Sequence, residues 1–398
     1  MCVKHTSEEN FMKNKKIISL FATLAIGASL LAGCGNNGDT NPNQGTGFEG
    51  QDITVDVPGP DSSSDATQSP DTEEFVVPAD CYLSELTGLP ISKDLKDQRP
   101  IAMMVDAEVE SLPNYEIAEC DIVYELMNST ANDRVTRLMC IRKDWNNIEQ
   151  MGNIRSTRPT NIPLAGEYNA ILVHDGGPVY INDYIAKAYC DHLSAGFSRI
   201  DLGRADFYEE FATAGQIEDR IQAAGISSTY NAYAPMRDTH FLFRDYGTDI
   251  TPTEMGYTNA QTATNIQIPT FKHTQSNLRY NESTGTYDFY LYGNLQKDGE
   301  DNEVVSFENV ILQCTDYYVY DEHGYLIYLY YNQTDTTGYY ITNGEAIKIT
   351  WAKAVSNEKL DYEITKYYDE NGNEIEINPG KTYIALVPKD GWNSVTLN

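Results

Sequence analysis

Four short apolar runs punctuate the first half of the chain: Ile101–Val105, Ile122–Tyr124, Val135–Ile141 and Ala170–Val173. Runs of this length without alternation fit strands covered on both faces, as in parallel sheets. Between and after them, Pro178–Tyr189 and Asp206–Ala224 carry spaced apolar residues behind acidic starts, and both are predicted as helices. From about Asn277 the texture becomes alternating and Tyr-rich. It is cut by Asp321-Glu322-His323-Gly324, Asn343-Gly344, Glu370-Asn371-Gly372 and Asn378-Pro379-Gly380. Asn-Gly between alternating segments is a strong hairpin signal. The expected fold is an α/β N-terminal domain with a partly parallel sheet over 81–276. A mostly antiparallel β C-terminal domain follows over 277–398.

Ahead of this lies a different pattern. Lys13, Lys15 and Lys16 precede an apolar run from Ile17 to Leu31, which closes on Leu31-Ala32-Gly33-Cys34. A basic start, a short apolar core and small residues before a cysteine predict a signal peptide with a lipobox over 1–33. Cys34 would then carry lipid such as palmitate. The run is too short, and too interrupted by Ser19, Thr23 and Ser29, for a transmembrane helix of roughly 20 residues. Met12 is a more natural start than Met1. From Gly35 to Asp80 the chain is rich in Gly, Asn, Asp, Ser, Thr and Pro and has no Lys or Arg. Such a segment cannot bury enough apolar surface to order itself, so 34–80 is expected to be a lipidated, disordered linker. Its reach is about 35–40 Å for a flexible chain.

The chain holds 59 acidic and 28 basic residues, a net charge of −31. That charge opposes nucleic acid binding, which depends on Lys and Arg neutralising phosphates. It also gives no attraction to anionic headgroups, so membrane attachment rests on the lipid at Cys34. Cys81, Cys120, Cys140, Cys190 and Cys314 show neither a disulfide framework nor zinc spacing. Cys120 and Cys140 border apolar runs and are read as buried thiols, with one disulfide among the five as the alternative.

A set of motifs appears in one order. Leu86-Thr87-Gly88-Leu89-Pro90 is followed by Arg99-Pro100-Ile101-Ala102-Met103-Met104-Val105-Asp106, then Ala118-Glu119-Cys120-Asp121-Ile122-Val123-Tyr124-Glu125 and Thr136-Arg137-Leu138. Ile154-Arg155-Ser156-Thr157-Arg158-Pro159, Glu167-Tyr168-Asn169-Ala170-Ile171-Leu172-Val173-His174 and Gly176-Gly177 come next. Later pieces are Gly338-Tyr339-Tyr340-Ile341-Thr342-Asn343-Gly344, Ile349-Thr350-Trp351, Tyr367-Tyr368-Asp369-Glu370-Asn371-Gly372 and Leu386-Val387-Pro388. Together they resemble the YerB-like family of bacterial lipoproteins over nearly all of 81–390. The resemblance implies a two-domain surface lipoprotein and no particular activity. Two departures stand out. Asp133-Arg134 replaces a usual Gly-Gly, and Tyr208-Glu209-Glu210-Phe211 stands near where relatives carry a Pro-His-Asn motif.

The apolar runs end in polar groups. Asp106, Glu125 and His174-Asp175-Gly176-Gly177 would share one rim if their strands are parallel neighbours, and ligands of α/β sheets sit at such rims. Gly176 and Gly177 lead toward the helix predicted at Pro178, an arrangement that favours anions; a plain tight turn is the alternative. Arg155 and Arg158 flank Ser156-Thr157, and two guanidiniums so placed fork onto carboxylate or phosphate oxygens unless internal carboxylates take them. Arg137, inside an apolar run, reads as a structural ion-pair member. His174 is either a ligand-contacting or a structural histidine. Asp106, Glu125 and His174 are the acid/base set of a rival reading, an envelope hydrolase cutting a phosphodiester or glycosidic bond. No nucleophile elbow, P-loop, dinucleotide fingerprint or zinc motif is present. The expectation is a non-enzymatic lipoprotein on the extracellular face of the cell membrane. Arg155, Arg158, His174, Asp175, Gly176 and Gly177 would bind an anionic or glycan-like wall component or a surface protein. No cofactor and no metal is expected.

Overall fold

A computed structural model describes residues 75–234, 240–328, 336–353 and 362–398. The expected signal segment 1–33, the lipid site Cys34 and the linker through residue 74 lie outside the described residues. The first half supplies β1 (Ile101–Asp106), β2 (Ile122–Met127), β3 (Thr136–Arg142), β4 (Ile171–His174) and β5 (His192–Ser194). The second half supplies β6 (Gln261–Thr262), β7 (Asn265–Gln267), β8 (Asn277–Asn281), β9 (Thr286–Leu291), β10 (Asn294–Leu295) and β11 (Ser306–Phe307). After these come β12 (Asn309–Thr315), β13 (Thr337–Thr342), β14 (Glu345–Lys353), β15 (Thr365–Tyr368), β16 (Thr382–Pro388) and β17 (Thr396–Leu397).

Among the described residues, eleven of these strands form one mixed sheet that draws on both halves of the chain. Its order is β6-β14-β13-β12-β16-β2-β3-β1-β4-β5, with β15 also on β14. The pairs β12–β16, β16–β2, β1–β4 and β4–β5 are parallel, and β3 runs antiparallel to both β1 and β2. β1, β2, β3 and β16 are buried along their whole length, which is why they are mainly apolar without alternation, with Asp106, Glu125 and Arg137 as buried exceptions. A smaller antiparallel sheet has the order β10-β9-β8-β7-β17, with β11 also on β9. The Asn343-Gly344 hairpin forms as expected: both residues have positive φ, 47° and 76°, the requirement of a tight primed turn between β13 and β14.

The protein is mostly strands with few helices, so the α/β expectation is corrected toward a strand-dominated mixed sheet. The helices are α1 (Asn161–Glu167), α2 (Asn182–Ile185) and α3 (Ala214–Ala224). Within Pro178–Tyr189 only one 3-10 turn and the four-residue α2 form. Ile181 and Tyr189 are its only buried apolar side chains, and Val179 is exposed, so no apolar stripe is available to hold a longer helix. Within Asp206–Ala224, the fully buried Glu210–Ala212 instead forms a strand, paired with Met151–Gly152 and Ser198–Arg199. The helix starts only after Thr213, whose hydroxyl accepts from the Gln216 N–H in a capping box, and ends at Gly225 with φ 65°.

Glu125 of β2 ties the two sheets together. It is fully buried, and its Oε1 accepts hydrogen bonds from Thr136 (2.6 Å), Ser276 (2.6 Å) and Thr274 (3.2 Å). Its Oε2 accepts from the Tyr383 hydroxyl at 2.6 Å. Burial pushes its carboxyl up from the ordinary range, and the four hydroxyl donors oppose that shift. A second tie is Glu167 at the end of α1. It meets Lys353 Nζ of β14 at 2.7 Å and His240 Nε2 at 3.3 Å, and accepts from the Thr365 N–H of β15 at 2.9 Å. Burial opposes ionisation of Glu167, but Lys353 and His240 outweigh it and hold the carboxyl below its usual value.

Glu125→Ala leaves four buried hydroxyls without their acceptor and is expected to cost about 2–4 kcal/mol, read from the urea midpoint. Glu167 gives the opposite pH signature to a raised acid. With a folded pKa below the unfolded value of about 4.3, its contribution is present above that value and lost as pH falls through the folded pKa. An acid series of urea midpoints should therefore fall less steeply for Glu167→Gln than for the parent protein.

Candidate functional site

The carboxyl ends of β1 and β4 meet the segment Met151–Arg158, and this junction places the arginines. The Arg155 N–H donates to Met104 O (2.9 Å) and its carbonyl accepts from the Asp175 N–H (3.0 Å), so Arg155 bridges the two strand ends. Asp106 closes β1. Its Oδ1 accepts from the Ala107 and Glu108 N–H groups, and its Oδ2 lies 2.6 Å from Arg155 Nε. Arg137 stands directly across from Asp106 on β3 and donates from Nη1 to Ser156 O at 2.9 Å. Arg158 donates from Nη1 to Thr157 O, and its guanidinium lies over the Tyr325 ring at 4.6 Å.

Arg137 and Arg158 are only 5% and 8% exposed, and the Nε–H of each has no hydrogen-bond partner among the described residues. Burial pushes the Arg137 guanidinium down from its usual value; Asp106 opposes this and Arg155 adds to it. Arg158 is driven down to about 9 by burial and by Arg137. Three guanidiniums thus gather about Asp106, with Glu108 a second carboxylate acting on Arg137, so the cations outnumber the carboxylates in a strongly acidic chain. Arg155 and Ser156 are half-exposed, and exposed Gly176 lies beside Ser156.

His174 belongs to the same strand ends but is closed off. Its Nδ1 is 2.8 Å from Gly176 O and its Nε2 is 3.0 Å from His192 Nδ1. A carbonyl only accepts, so Nδ1 carries the proton and Nε2 accepts from His192. Burial pushes His174 down to about 4, so it is neutral at neutral pH with both nitrogens engaged. Asp175 is half-exposed beside Glu210, whose carboxyl is raised to about 7 by burial and by Asp175. The Gly176 carbonyl also accepts from the Thr157 N–H. A Cβ on Gly177 would meet Ile181 Cδ1 at 2.5 Å, so this glycine permits close packing of the following turn. The expected helix at Pro178 is a short turn, so the anion-favouring helix end predicted for Gly176-Gly177 is absent.

The set Asp106, Glu125 and His174 is not brought together. Cross-strand register places Glu125, Leu138 and Val105 in one row and Leu126, Arg137 and Asp106 in the next. Adjacent rows point to opposite faces, so Asp106 and Glu125 face away from each other across the sheet. Arg155 and Arg158 do converge, and Arg137 joins them. The sequence pattern treated Arg137 as structural, and only the pairing of β3 with β1 reveals its position. His192 and Tyr325 carried no local signal. The five described cysteines are free thiols. Glu119, Asp301 and Glu303 bring ligand oxygens within 4.8 Å of one another, away from the residues considered above.

Two family models match the chain: the N-terminal domain of a protein of unknown function (DUF3048) over residues 86–227, and its C-terminal domain over 266–384. A relative described as "Putative lipoprotein YerB", from Bacillus subtilis (strain 168), is 23% identical over 309 residues, spanning 76% of this chain and 85% of the relative. The crystal structure of the YerB protein from Bacillus subtilis matches with a TM-score of 0.65 at 18% identity, covering 80% of this chain and 99% of that one. Among the described residues no helix is long and apolar enough to cross a membrane. The chain belongs to the two-domain DUF3048 family, homologous to YerB.

Proposed function

We propose that this protein is a lipoprotein anchored through Cys34 on the extracellular face of the cell membrane, where it binds an anionic group of an envelope polymer without turning it over. The observation that carries the reading is the gathering of Arg137, Arg155 and Arg158 about Asp106, with two buried Nε–H groups lacking acceptors. An oxyanion supplies those acceptors and offsets the mutual repulsion of the guanidiniums. Tyr325 holds Arg158 from the far side by stacking under its plane. The apolar run ending at Cys34 and the likeness to a relative named as a lipoprotein support the anchor. Binding is favoured over hydrolysis because Glu125 points away from Asp106 and His174 has no free ring nitrogen.

The test is titration calorimetry of the full-length chain in detergent with poly(glycerol phosphate) and with inorganic phosphate. Binding should weaken at least tenfold in Arg158→Gln and in Arg155→Gln and should fall with added salt. Equal binding by the parent and a folded triple glutamine variant at 137, 155 and 158 would overturn the reading. The pH dependence has a definite sign. An anion favours charged Arg158, so affinity is full below about pH 9 and declines as pH rises through that value. Cys34→Ser should move the protein from the membrane fraction to the soluble fraction.

A further inference from the structure

A cavity of about 430 Å³ lies on the smaller sheet, away from the arginine cluster. It is enclosed by the loop between β7 and β8 and by the turn at Gly293 between β9 and β10. Its volume falls within the range of small-molecule sites, about 300–1,000 Å³. Ile268 and Phe271 are buried and form an apolar floor with Pro269. Around it stand two cations, Lys272 and Arg279, and no carboxylate lines the cavity. The lining itself is thus positive, with Asp288 across the strand pair from Arg279 and Asp390 within the field of Lys272.

The polar groups are held for contact with something outside the protein. Arg279 is fixed by stacking on the Tyr290 ring at 4.0 Å and by donating from Nε to Asn277 Oδ1 at 2.6 Å. This leaves its terminal nitrogens without a hydrogen-bond partner among the described residues. Lys272 is exposed, and its charge helps hold the Asp390 carboxyl below its usual value. Gln267 and Gln275 are exposed, and neither side-chain amide bonds to a described residue. β7, β8 and β9 place Gln267, Asn277 and Tyr290 in one row on the solvent face, so the amides and the stacked guanidinium share a platform. Beneath it, the Ser276 hydroxyl is committed to Glu125 and anchors the loop to the large sheet.

We infer that this cavity binds an anionic sugar unit, one bearing a carboxylate or a phosphate. Lys272 and Arg279 take the anionic group, and the amides of Gln267 and Gln275 take ring hydroxyls or an acetamido group. The apolar face of the sugar ring rests on exposed Pro269, with buried Phe271 beneath it. The site is independent of the Arg137–Arg155–Arg158 cluster and would stand if that cluster bound nothing.

The test is ligand-observed NMR on the full-length chain in detergent with glucuronate, glucose 6-phosphate, glucose and inorganic phosphate. Glucuronate, glucose 6-phosphate or both should bind more tightly than glucose and inorganic phosphate. Affinity should fall about tenfold in Lys272→Gln and in Arg279→Gln. The stronger of the two anionic sugars identifies the charged group. Both mutated side chains are exposed, so the variants are expected to fold, which the urea midpoint checks. Failure of both anionic sugars to bind, binding indifferent to Lys272 and Arg279, or an equal loss of inorganic phosphate binding in those two variants would each overturn the assignment.

Discussion

The parallel pairing of Thr382–Leu386 with Ile122–Leu126 is the contact on which the rest of the architecture depends. It lays a strand from the far end of the chain against one from the first half, and β12 then pairs with its other edge. Without β16 the large sheet would be two smaller ones. Glu125 reinforces the junction because its donors come from β3, from β16 and from the loop that leads into the smaller sheet. A buried carboxylate is costly, and four hydroxyl donors replace the water it has lost. The same group therefore joins strands within one sheet and couples that sheet to the next.

The positions of β1, β2, β3 and β4 were legible because both faces of each strand are covered, which leaves a mainly apolar run without alternation. The Asn343-Gly344 turn was legible because few residue pairs accept two positive φ angles. Neighbour relations were not legible. Nothing local in Thr382–Pro388 announces that it enters the sheet of the first half. The helices were overestimated where acidic starts and spaced apolar residues occurred without a stripe to bury, as in Pro178–Tyr189.

The site was half legible for the same reason. Arg155 and Arg158 sit three residues apart, and their association is a matter of local spacing. Whether Asp106 and Glu125 share a cleft depends on the one-residue parity of β3 against its two neighbours, which sequence does not display. That parity sends Asp106 to the arginines and Glu125 to the inter-sheet core. Identical chemistry thus serves an ion pair on one face and a hydroxyl cage on the other. Strong overall acidity makes the few places where cations outnumber carboxylates stand out.

Tyr383 and Glu125 are 258 positions apart, and this distance has a consequence for how the protein is made. Until the last residues emerge, β2 and β12 each present an unpaired edge. Such bare edges are templates for mispairing with other chains. Contacts of this span also form slowly, since a long loop must close before any of them is gained. Completion of the sheet is therefore a late event that waits on the pairing of β16 with both edges.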